Sequence, residues 1–156
     1  MPTPFDAIAG IANACQVLPN LLTGGQPGAR QLEAMSQAGV ATVLDLRDPM
    51  EPRPIDEAGS IQRLGMSYVI IPVTPNTLND ATLERILTVL RENKDHPVLV
   101  HCGSGNRVGA ALIPHLMLDQ GLGEEDAIHQ AMRIGLRAPD LLEWGLDYVK
   151  RHPKEG

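Results

Sequence analysis

Apolar residues along the 156-residue chain occur either in short runs or at helical spacing on one face. Apolar-rich runs at residues 40–46, 68–71 and 98–100 predict buried strands. Within residues 80–93, apolar side chains recur at i, i+3, i+4 and i+7 from Leu83, so they share one face of a predicted helix. Because strands and helices alternate along the chain, we predict an α/β fold with a mainly parallel central sheet and helices on both faces.

Further helices complete the predicted α/β pattern, and they cover residues 29–38, 107–120, 124–134 and 140–151. Pro114 lies inside one of them and should bend it, because the proline ring clashes with the preceding helical turn. The chain length matches one domain of typical size, and neither a repeat nor a long linker divides it. We therefore predict a single domain over residues 1–156.

The charge balance of the chain narrows the classes of partner. There are 13 Lys and Arg residues against 19 Asp and Glu residues, which gives a net charge of −6. This acidic balance disfavours a general nucleic-acid binder or an anionic-membrane binder, and no apolar run approaches the ~20 residues that span a bilayer. The N-terminal residues lack the cationic start and long apolar core of a secretory signal. We expect a cytoplasmic protein, with an exported precursor that has lost its signal as the alternative.

Cysteine and histidine usage indicates neither a disulfide scaffold nor a metal site. The two cysteines, Cys15 and Cys102, are too few for a disulfide-built fold or a four-cysteine zinc site. The histidines outside residues 98–109 show no spacing that would place two metal ligands together. We therefore predict no metal and no cofactor.

One short segment carries most of the chemical information in the sequence. Cys102 follows the last predicted strand, and Arg107 starts the next predicted helix. Gly103, Gly105 and Asn106 tolerate positive φ, so the backbone between them can turn successive N–H groups inward. Inward N–H groups at a helix N-terminus bind oxyanions and stabilise a thiolate, which would make Cys102 nucleophilic near neutral pH. The planar guanidinium of Arg107 can hold two oxygens of a tetrahedral anion.

These residues resemble the signature of the protein tyrosine and dual-specificity phosphatases, in which His-Cys precedes a glycine-bearing loop and an arginine. Here the matching residues are His101, Cys102 and Arg107. Residues 22–27 (Leu-Thr-Gly-Gly-Gln-Pro) and 43–47 (Val-Leu-Asp-Leu-Arg) resemble the opening of a bacterial phosphatase-like group. That group also forms the phosphatase-like part of beta-lactamase-hydrolase-like proteins.

The resemblance continues beyond the loop. Residues 132–139 resemble the arginine-containing segment that follows the signature helix in dual-specificity phosphatases. The match covers about residues 18–150, which we take as the core of the domain. It implies a cysteine-phosphatase-like fold and hydrolysis of phosphate monoesters through a phosphocysteine intermediate. The expected partner is a phosphate-monoester substrate, with phosphoproteins among the candidates.

The resemblance also implies a role for each residue of the loop. Cys102 would attack phosphorus, and Arg107 would bind the phosphoryl oxygens. His101 would orient the loop and tune the thiol. The remaining oxygens would be bound by the backbone amides of Gly103, Ser104, Gly105, Asn106 and Arg107.

Two features of the loop depart from the signature that it resembles. That signature usually has five residues between cysteine and arginine, whereas four separate Cys102 from Arg107 here. A shorter loop offers one backbone amide fewer to a bound phosphate. The usual hydroxyl residue after the arginine, which assists release of the cysteine in the second step, is Val108 here, and Ser104 could compensate.

The third departure concerns the general acid. In the phosphatases that the chain resembles, an aspartate usually supplies it from the loop after the strand at 68–71, but residues 72–79 contain no carboxylate. Asp80 is the nearest candidate acid, with capping of the following helix as its alternative role. Asp48, in a predicted turn, is a second candidate. Because a missing general acid typically costs ~10²–10⁴-fold in rate, we expect slow turnover that favours good leaving groups such as aryl phosphates.

Two alternative functions stay open at this point. The four-residue spacing and the Ser-Gly-Asn-Arg ending at residues 104–107 also resemble the active loop of rhodanese-type sulfurtransferases, which carry a persulfide and need no general acid. A non-catalytic phosphate-binding module would use the same loop without a reaction. His101 and the Gly-Gly-Gln-Pro segment at residues 24–27 favour the phosphatase hypothesis.

Overall fold

A five-stranded sheet forms the centre of the computed structural model, which describes residues 3–52 and 55–153. Its strands are β1 (Cys15–Leu18), β2 (Leu21–Gly24), β3 (Thr42–Asp45), β4 (Ser67–Ile70) and β5 (Val98–His101). They lie in the order β1-β2-β5-β3-β4. The β1–β2 pair is antiparallel and the other pairs are parallel, which confirms the predicted mainly parallel sheet.

Helices cover both faces of this sheet, as predicted. They are α1 (Pro4–Ala7), α2 (Ala29–Gln37), α3 (Glu57–Arg63), α4 (Asp80–Glu92), α5 (Asn106–Ala111), α6 (Glu124–Ile134) and α7 (Pro139–Arg151). One apolar cluster packs α4 to α7 against Val98 and Val100. A second cluster packs α1 to α3 against Leu99, whose side chain points to the opposite face. Strand β5 is therefore buried on both faces, which explains its continuous apolar sequence.

The helix predicted over residues 107–120 differs in the structure. Helix α5 ends at Ala111, and a five-residue π-helical turn covers His115–Asp119, directly after Pro114. Proline cannot donate the hydrogen bond that a continuous α-helix requires at this position, so the segment is divided and not merely bent. Among the described residues, no helix combines the length and apolar character needed to cross a membrane.

Several short elements were not predicted from the sequence. Strands β1 and β2 have four residues each, and helix α3 has seven. Strand β2 ends in Thr23 and Gly24, so it lacks the apolar run that marks β5. Its burial comes from pairing with β5, a contact that local sequence does not reveal.

The sheet places three chain segments side by side at one edge. Gly24 at the end of β2 and Asp45 at the end of β3 are both paired with His101 at the end of β5. The loops that follow these strands therefore meet at the carboxyl edge of the sheet. Ligand sites of parallel sheets lie at this edge.

Candidate active site

The loop that follows β5, residues 102–107, curls around the sulfur of Cys102 and is called the cysteine loop below. Cys102 is fully buried, and its Sγ accepts a hydrogen bond from the backbone N–H of Gly105 at 3.0 Å. Gly105 has φ of +101°, and a Cβ there would collide with the carbonyl oxygen of Ile134. Glycine is thus required at this position, because the left-handed backbone and the close packing both exclude a side chain. Gly103 and Asn106, also expected to tolerate positive φ, do not adopt it.

Neighbouring segments hold the outer part of the cysteine loop. The side-chain amide of Asn13 donates to the carbonyl of Ser104 at 2.6 Å. The backbone N–H of Gln26 donates to the carbonyl of Gly103 at 3.3 Å. Because these carbonyls are held from outside, the peptide units of the loop keep their orientation, and N–H groups are directed inward.

The start of helix α5 anchors the other end of the cysteine loop. The side-chain oxygen of Asn106 accepts hydrogen bonds from the backbone N–H groups of Arg137 at 2.8 Å and Ala138 at 3.2 Å. The Asn106 side chain therefore fixes the connection between α6 and α7. Val108, at the position usually held by a hydroxyl residue, is fully buried in the apolar cluster.

Arg107 lies at the rim of the loop and is paired with a carboxylate that the sequence did not single out. Its two terminal nitrogens donate to the carboxylate oxygens of Glu51 at 2.7 and 2.9 Å. Glu51 also accepts from the backbone N–H of Asp48 at 2.6 Å. The hydrogen bonds to Glu51, and after them the nearby Cys102 sulfur, raise the pKa of the Arg107 guanidinium. A guanidinium has five N–H donors, so donors beyond these two are available to an oxyanion.

Beneath the loop, His101 is oriented by a buried glutamate. Its Nε2 lies 2.5 Å from Oε2 of Glu57, and its Nδ1 lies 3.4 Å from the carbonyl oxygen of Cys102. Glu57 is the first residue of α3, and its other oxygen accepts from Arg47 at 2.9 Å and Gln26 at 2.8 Å. The contacts at both ring nitrogens fix the orientation of the His101 imidazole. His101 can therefore orient the cysteine loop from its buried side.

These contacts belong to a buried polar network formed by Asp45, Arg47, Glu57, Tyr68 and His101. The Nε and NH2 groups of Arg47 donate to the two oxygens of Asp45 at 3.0 and 2.8 Å, and the Tyr68 hydroxyl donates at 2.5 Å. Burial opposes ionisation of Asp45, but the hydrogen bonds from Arg47 and Tyr68 and the nearby His101 together outweigh it and hold the pKa of this carboxyl well below its usual range. Both buried carboxylates thus share one guanidinium.

Three members of the buried polar network could in principle ligate a metal ion. Ligand atoms of Asp45, Glu57 and His101 all lie within 4.8 Å of one another. However, Arg47 already donates to both carboxylates and supplies the positive charge that a cation would bring. The arrangement therefore favours a structural network, and we assign no metal to it.

Asp80, the candidate acid from the sequence, forms an exposed ion-pair cluster at the start of α4. Asn79 is the residue that caps this helix, accepting from the Thr82 N–H at 3.0 Å. Asp80 instead accepts from Arg151 at 2.8 Å and lies 2.9 Å from Nε2 of His152. Hydrogen bonds from Arg151, and then from His152, hold the pKa of Asp80 well below its usual range. This pairing favours an ionised, structural carboxylate.

The second candidate acid, Asp48, lies in a turn at the carboxyl edge. Its side chain accepts from the backbone N–H of Met50 at 2.9 Å, as a turn-forming aspartate does. Through its own N–H it also supports Glu51, the partner of Arg107.

A cavity of about 250 Å³ opens beside Arg107, between the loop after β4 and the start of α7. It is lined by Val73, Thr74, Pro75, Leu78, Arg107, Ala138, Asp140 and Leu141. No aromatic side chain is among the lining residues. The cavity therefore adds a mainly apolar wall to the site, with Arg107 and Asp140 as its charged groups.

The comparison with known families matches most of this chain. The sequence profile of the family described as DSP-PTPase phosphatase fused to NAD+ kinase covers residues 13–133, which include the cysteine loop and the buried polar network. The chain belongs to this DSP-PTPase family. Membership confirms the phosphatase resemblance derived from His101, Cys102 and Arg107.

The chain is also similar to part of a longer protein. The beta-lactamase hydrolase-like protein of Xylella fastidiosa (strain Temecula1) is 26% identical over 91 residues, which are 56% of this chain and 21% of that protein. The chain thus spans about a fifth of the length of this relative.

Solved structures share the DSP-PTPase fold over nearly the whole chain. A DUF442 protein named as a phosphatase, from Shewanella putrefaciens CN-32, has 27% identity and a TM-score of 0.78, covering 94% of this chain and 97% of that one. P. aeruginosa TpbA, solved as a cysteine-to-serine variant in complex with phosphotyrosine, has 20% identity and a TM-score of 0.69, covering 88% and 83%. These similarities confirm the predicted cysteine-phosphatase-like fold.

Two carboxylates of the site were missed from the sequence. Glu51 follows β3 at the carboxyl edge, four residues after Arg47, so its place after a buried strand was an available signal. Glu57 gave no such signal, because it begins the short helix α3 and reaches His101 only through tertiary packing.

Proposed function

We propose that this protein is a cysteine-dependent phosphatase that hydrolyses phosphate monoesters through a phosphocysteine intermediate. The observation that carries the proposal is the environment of one sulfur. Cys102 Sγ accepts the Gly105 N–H at 3.0 Å, and the same sulfur helps to raise the pKa of Arg107. Amide and guanidinium groups that stabilise a thiolate also stabilise a phosphoryl group bound above it.

These groups would carry out the hydrolysis in two steps. The Cys102 thiolate attacks phosphorus, an S–P bond forms, and the ester oxygen leaves with the bonding electron pair and takes up a proton. Water then attacks phosphorus, the S–P bond breaks, and phosphate and the thiolate are released. Arg107 and the amides of residues 103–107 bind the non-bridging oxygens in both steps, while His101 orients the loop from below.

The supply of the proton limits the first step. Residues 72–79 hold no carboxylate, and the ion pairs of Asp80 with Arg151 and His152 favour a structural role for it. A leaving group that needs no protonation would therefore react best. Turnover should be slower by ~10²–10⁴-fold than with a positioned general acid, and aryl phosphates should be preferred over alkyl phosphates. Because TpbA binds phosphotyrosine, phosphotyrosine is the first aryl substrate to test.

A rhodanese-type sulfurtransferase is the second candidate. The specific observations in its favour are the four-residue spacing from Cys102 to Arg107 and the buried Val108, which offers no hydroxyl to assist release of the sulfur. A persulfide on Cys102 would use the same amides and needs no general acid. Membership in the DSP-PTPase family favours the phosphatase over the sulfurtransferase.

The covalent intermediate distinguishes these functions. Intact mass measured after brief incubation with an aryl phosphate should show an adduct of about +80 Da on Cys102, and thiosulfate would add about +32 Da to a sulfurtransferase. Because Val108 replaces the usual hydroxyl, the phosphoryl adduct should accumulate and give a burst of phenol. A persulfide with rapid cyanide turnover and no phenol release would contradict the phosphatase proposal. Phosphate binding without either adduct would indicate a non-catalytic phosphate-binding module.

A further inference from the structure

The lining of the cavity beside Arg107 includes two residues of opposite charge. Arg107 contributes a guanidinium on the side of the cysteine loop, and Asp140 contributes a carboxylate from the first turn of α7. The lining also includes the apolar residues Val73, Leu78 and Leu141. A ligand that fills this space can therefore contact a cation, an anion and apolar surface.

The carboxylate of Asp140 is unpaired among the residues that the structure describes: it accepts no hydrogen bond and forms no ion pair with them. The neighbouring Asp80 and Asp147 differ, because both are paired with Arg151. An acidic residue in the first turn stabilises the helix dipole whichever way its side chain points. That effect explains an acid on α7, but it does not require the acid to line a cavity that also contains Arg107.

The size and polarity of the cavity restrict the ligand. Its volume of about 250 Å³ lies below the ~300–1,000 Å³ of pockets for drug-sized ligands. The hydroxyl of Thr74 is engaged by Thr77 and by the N–H of Asn76, within its own turn. Arg107 and Asp140 therefore determine the polar recognition.

We propose that this cavity receives the leaving group of a small aminoalkyl phosphate. The phosphate would lie at the cysteine loop and Arg107, the methylene chain on the apolar wall, and the ammonium at Asp140. This inference rests on the proposed function for the phosphate end of the ligand. Hydrolysis would release the amino alcohol and inorganic phosphate with water as the only other reactant, and it should be slower than that of an aryl phosphate because the alkoxide has to take its proton from water.

The test compares two non-hydrolysable ligands that differ in one group. In 3-aminopropylphosphonate the ammonium occupies the place of the terminal methyl of butylphosphonate, and it is charged at pH 7 because amines of this kind have a pKa near ~10. Each compound is titrated for protection of Cys102 against iodoacetamide. We expect the amino compound to bind more tightly by about two- to fivefold, the range expected for one exposed ion pair.

Two variants on the same helix locate the effect. Asp140→Asn should remove the preference for 3-aminopropylphosphonate and leave the affinity for butylphosphonate nearly unchanged. Glu143→Gln is the matched control, because Glu143 is exposed one turn further along α7 and lines the adjoining groove, not this cavity. It should keep the preference.

Each outcome decides one of the claims. Equal protection by the two phosphonates in the wild-type protein would overturn the aminoalkyl assignment while supporting the oxyanion site. No protection by either compound, nor by phosphate or vanadate, would overturn the proposed function and this inference with it. Equal loss of preference in Asp140→Asn and Glu143→Gln would assign the effect to the general charge of α7 and overturn the cavity site. Tighter binding of a lysine-rich phosphopeptide than of the amino compound would overturn the small-molecule class.

Discussion

Two carboxylate–guanidinium pairs lie in the same site at different depths. Glu57 and Arg47 form one pair beneath the cysteine loop, where their side chains are 1% and 3% exposed. Glu51 and Arg107 form the other pair at the rim, where they are 35% and 21% exposed. The N···O distances are similar, at 2.9 Å and 2.7 Å. Depth is therefore the main physical difference between two contacts of the same chemistry.

The difference in depth suits the two ion pairs to different roles. Removing one partner of a buried pair leaves a charge without water or counter-charge, so the buried polar network is held in one arrangement. The rim pair is partly solvated, and its loss costs little, so Arg107 can exchange contacts with a ligand. In the proposed function, the buried pair would orient His101 and the cysteine loop, while the rim pair would leave the arginine available for binding.

The largest expected effect is on turnover, where the rim arginine acts with the sulfur. Cys102→Ser should abolish hydrolysis of an aryl phosphate, because the covalent step loses its nucleophile. Arg107→Lys should lower kcat by about 10²–10³-fold, since a point charge cannot replace the planar fork on the developing charge. Steady-state phenol release measures both. Arg91→Lys, which alters an exposed arginine pair with Asp119, is the control and should keep full activity.

The next effect concerns the buried pair. Glu57→Gln should lower the free energy of unfolding by about 1–3 kcal/mol, because Arg47 and His101 lose a buried carboxylate as hydrogen-bond partner while Asp45 still pairs with Arg47. Urea denaturation followed by circular dichroism measures the change. Glu33→Gln, an exposed change on α2, should stay within about 0.5 kcal/mol of the wild-type protein. A loss below 1 kcal/mol in Glu57→Gln would show that depth does not separate the two pairs.

Acid should weaken the buried polar network selectively. The pKa of Asp45 in the folded protein lies below the ordinary value of about 3.9. Its contribution to stability is therefore complete above that ordinary value and is lost as the pH falls through the lower folded value. Urea midpoints measured from pH 5 to 2 should fall, and Asp45→Asn should show a shallower fall. Parallel curves for the two proteins would contradict the charge pairing of Asp45.

The smallest expected effect is at the rim. Glu51→Gln should change the free energy of unfolding by less than about 1 kcal/mol, because water replaces the lost contact. Repeating the urea denaturation in 1 M salt should reduce this difference further, since salt screens exposed pairs. A loss comparable with that of Glu57→Gln would show that the loop carrying Glu51 is as firmly held as the network below it.

The local sequence was sufficient to predict the cysteine loop, but it did not predict the polar side chains that surround the loop. Cys102 to Arg107 are contiguous and follow a fully apolar strand, so spacing and residue type predicted the loop and its resemblance, although only Gly105 of the three expected residues adopts a positive φ. The buried polar network draws on residues 45, 47, 57, 68 and 101, which only the pairing of β3, β4 and β5 brings together. Asp80 was the nearest candidate acid because it is near in sequence to β4, whereas its partners Arg151 and His152 come from the distant end of α7.

Cys102 is fully buried, although it is the proposed nucleophile. Because its sulfur has no exposed surface, we expect reagents to reach it when the surrounding loop opens transiently. The alkylation rate of Cys102 should rise with iodoacetamide concentration and then level off at the opening rate. Between such openings the sulfur is also shielded from peroxides, because oxidation of a thiolate follows its exposure. The burial that slows the access of a reagent would therefore also protect the thiol from oxidation.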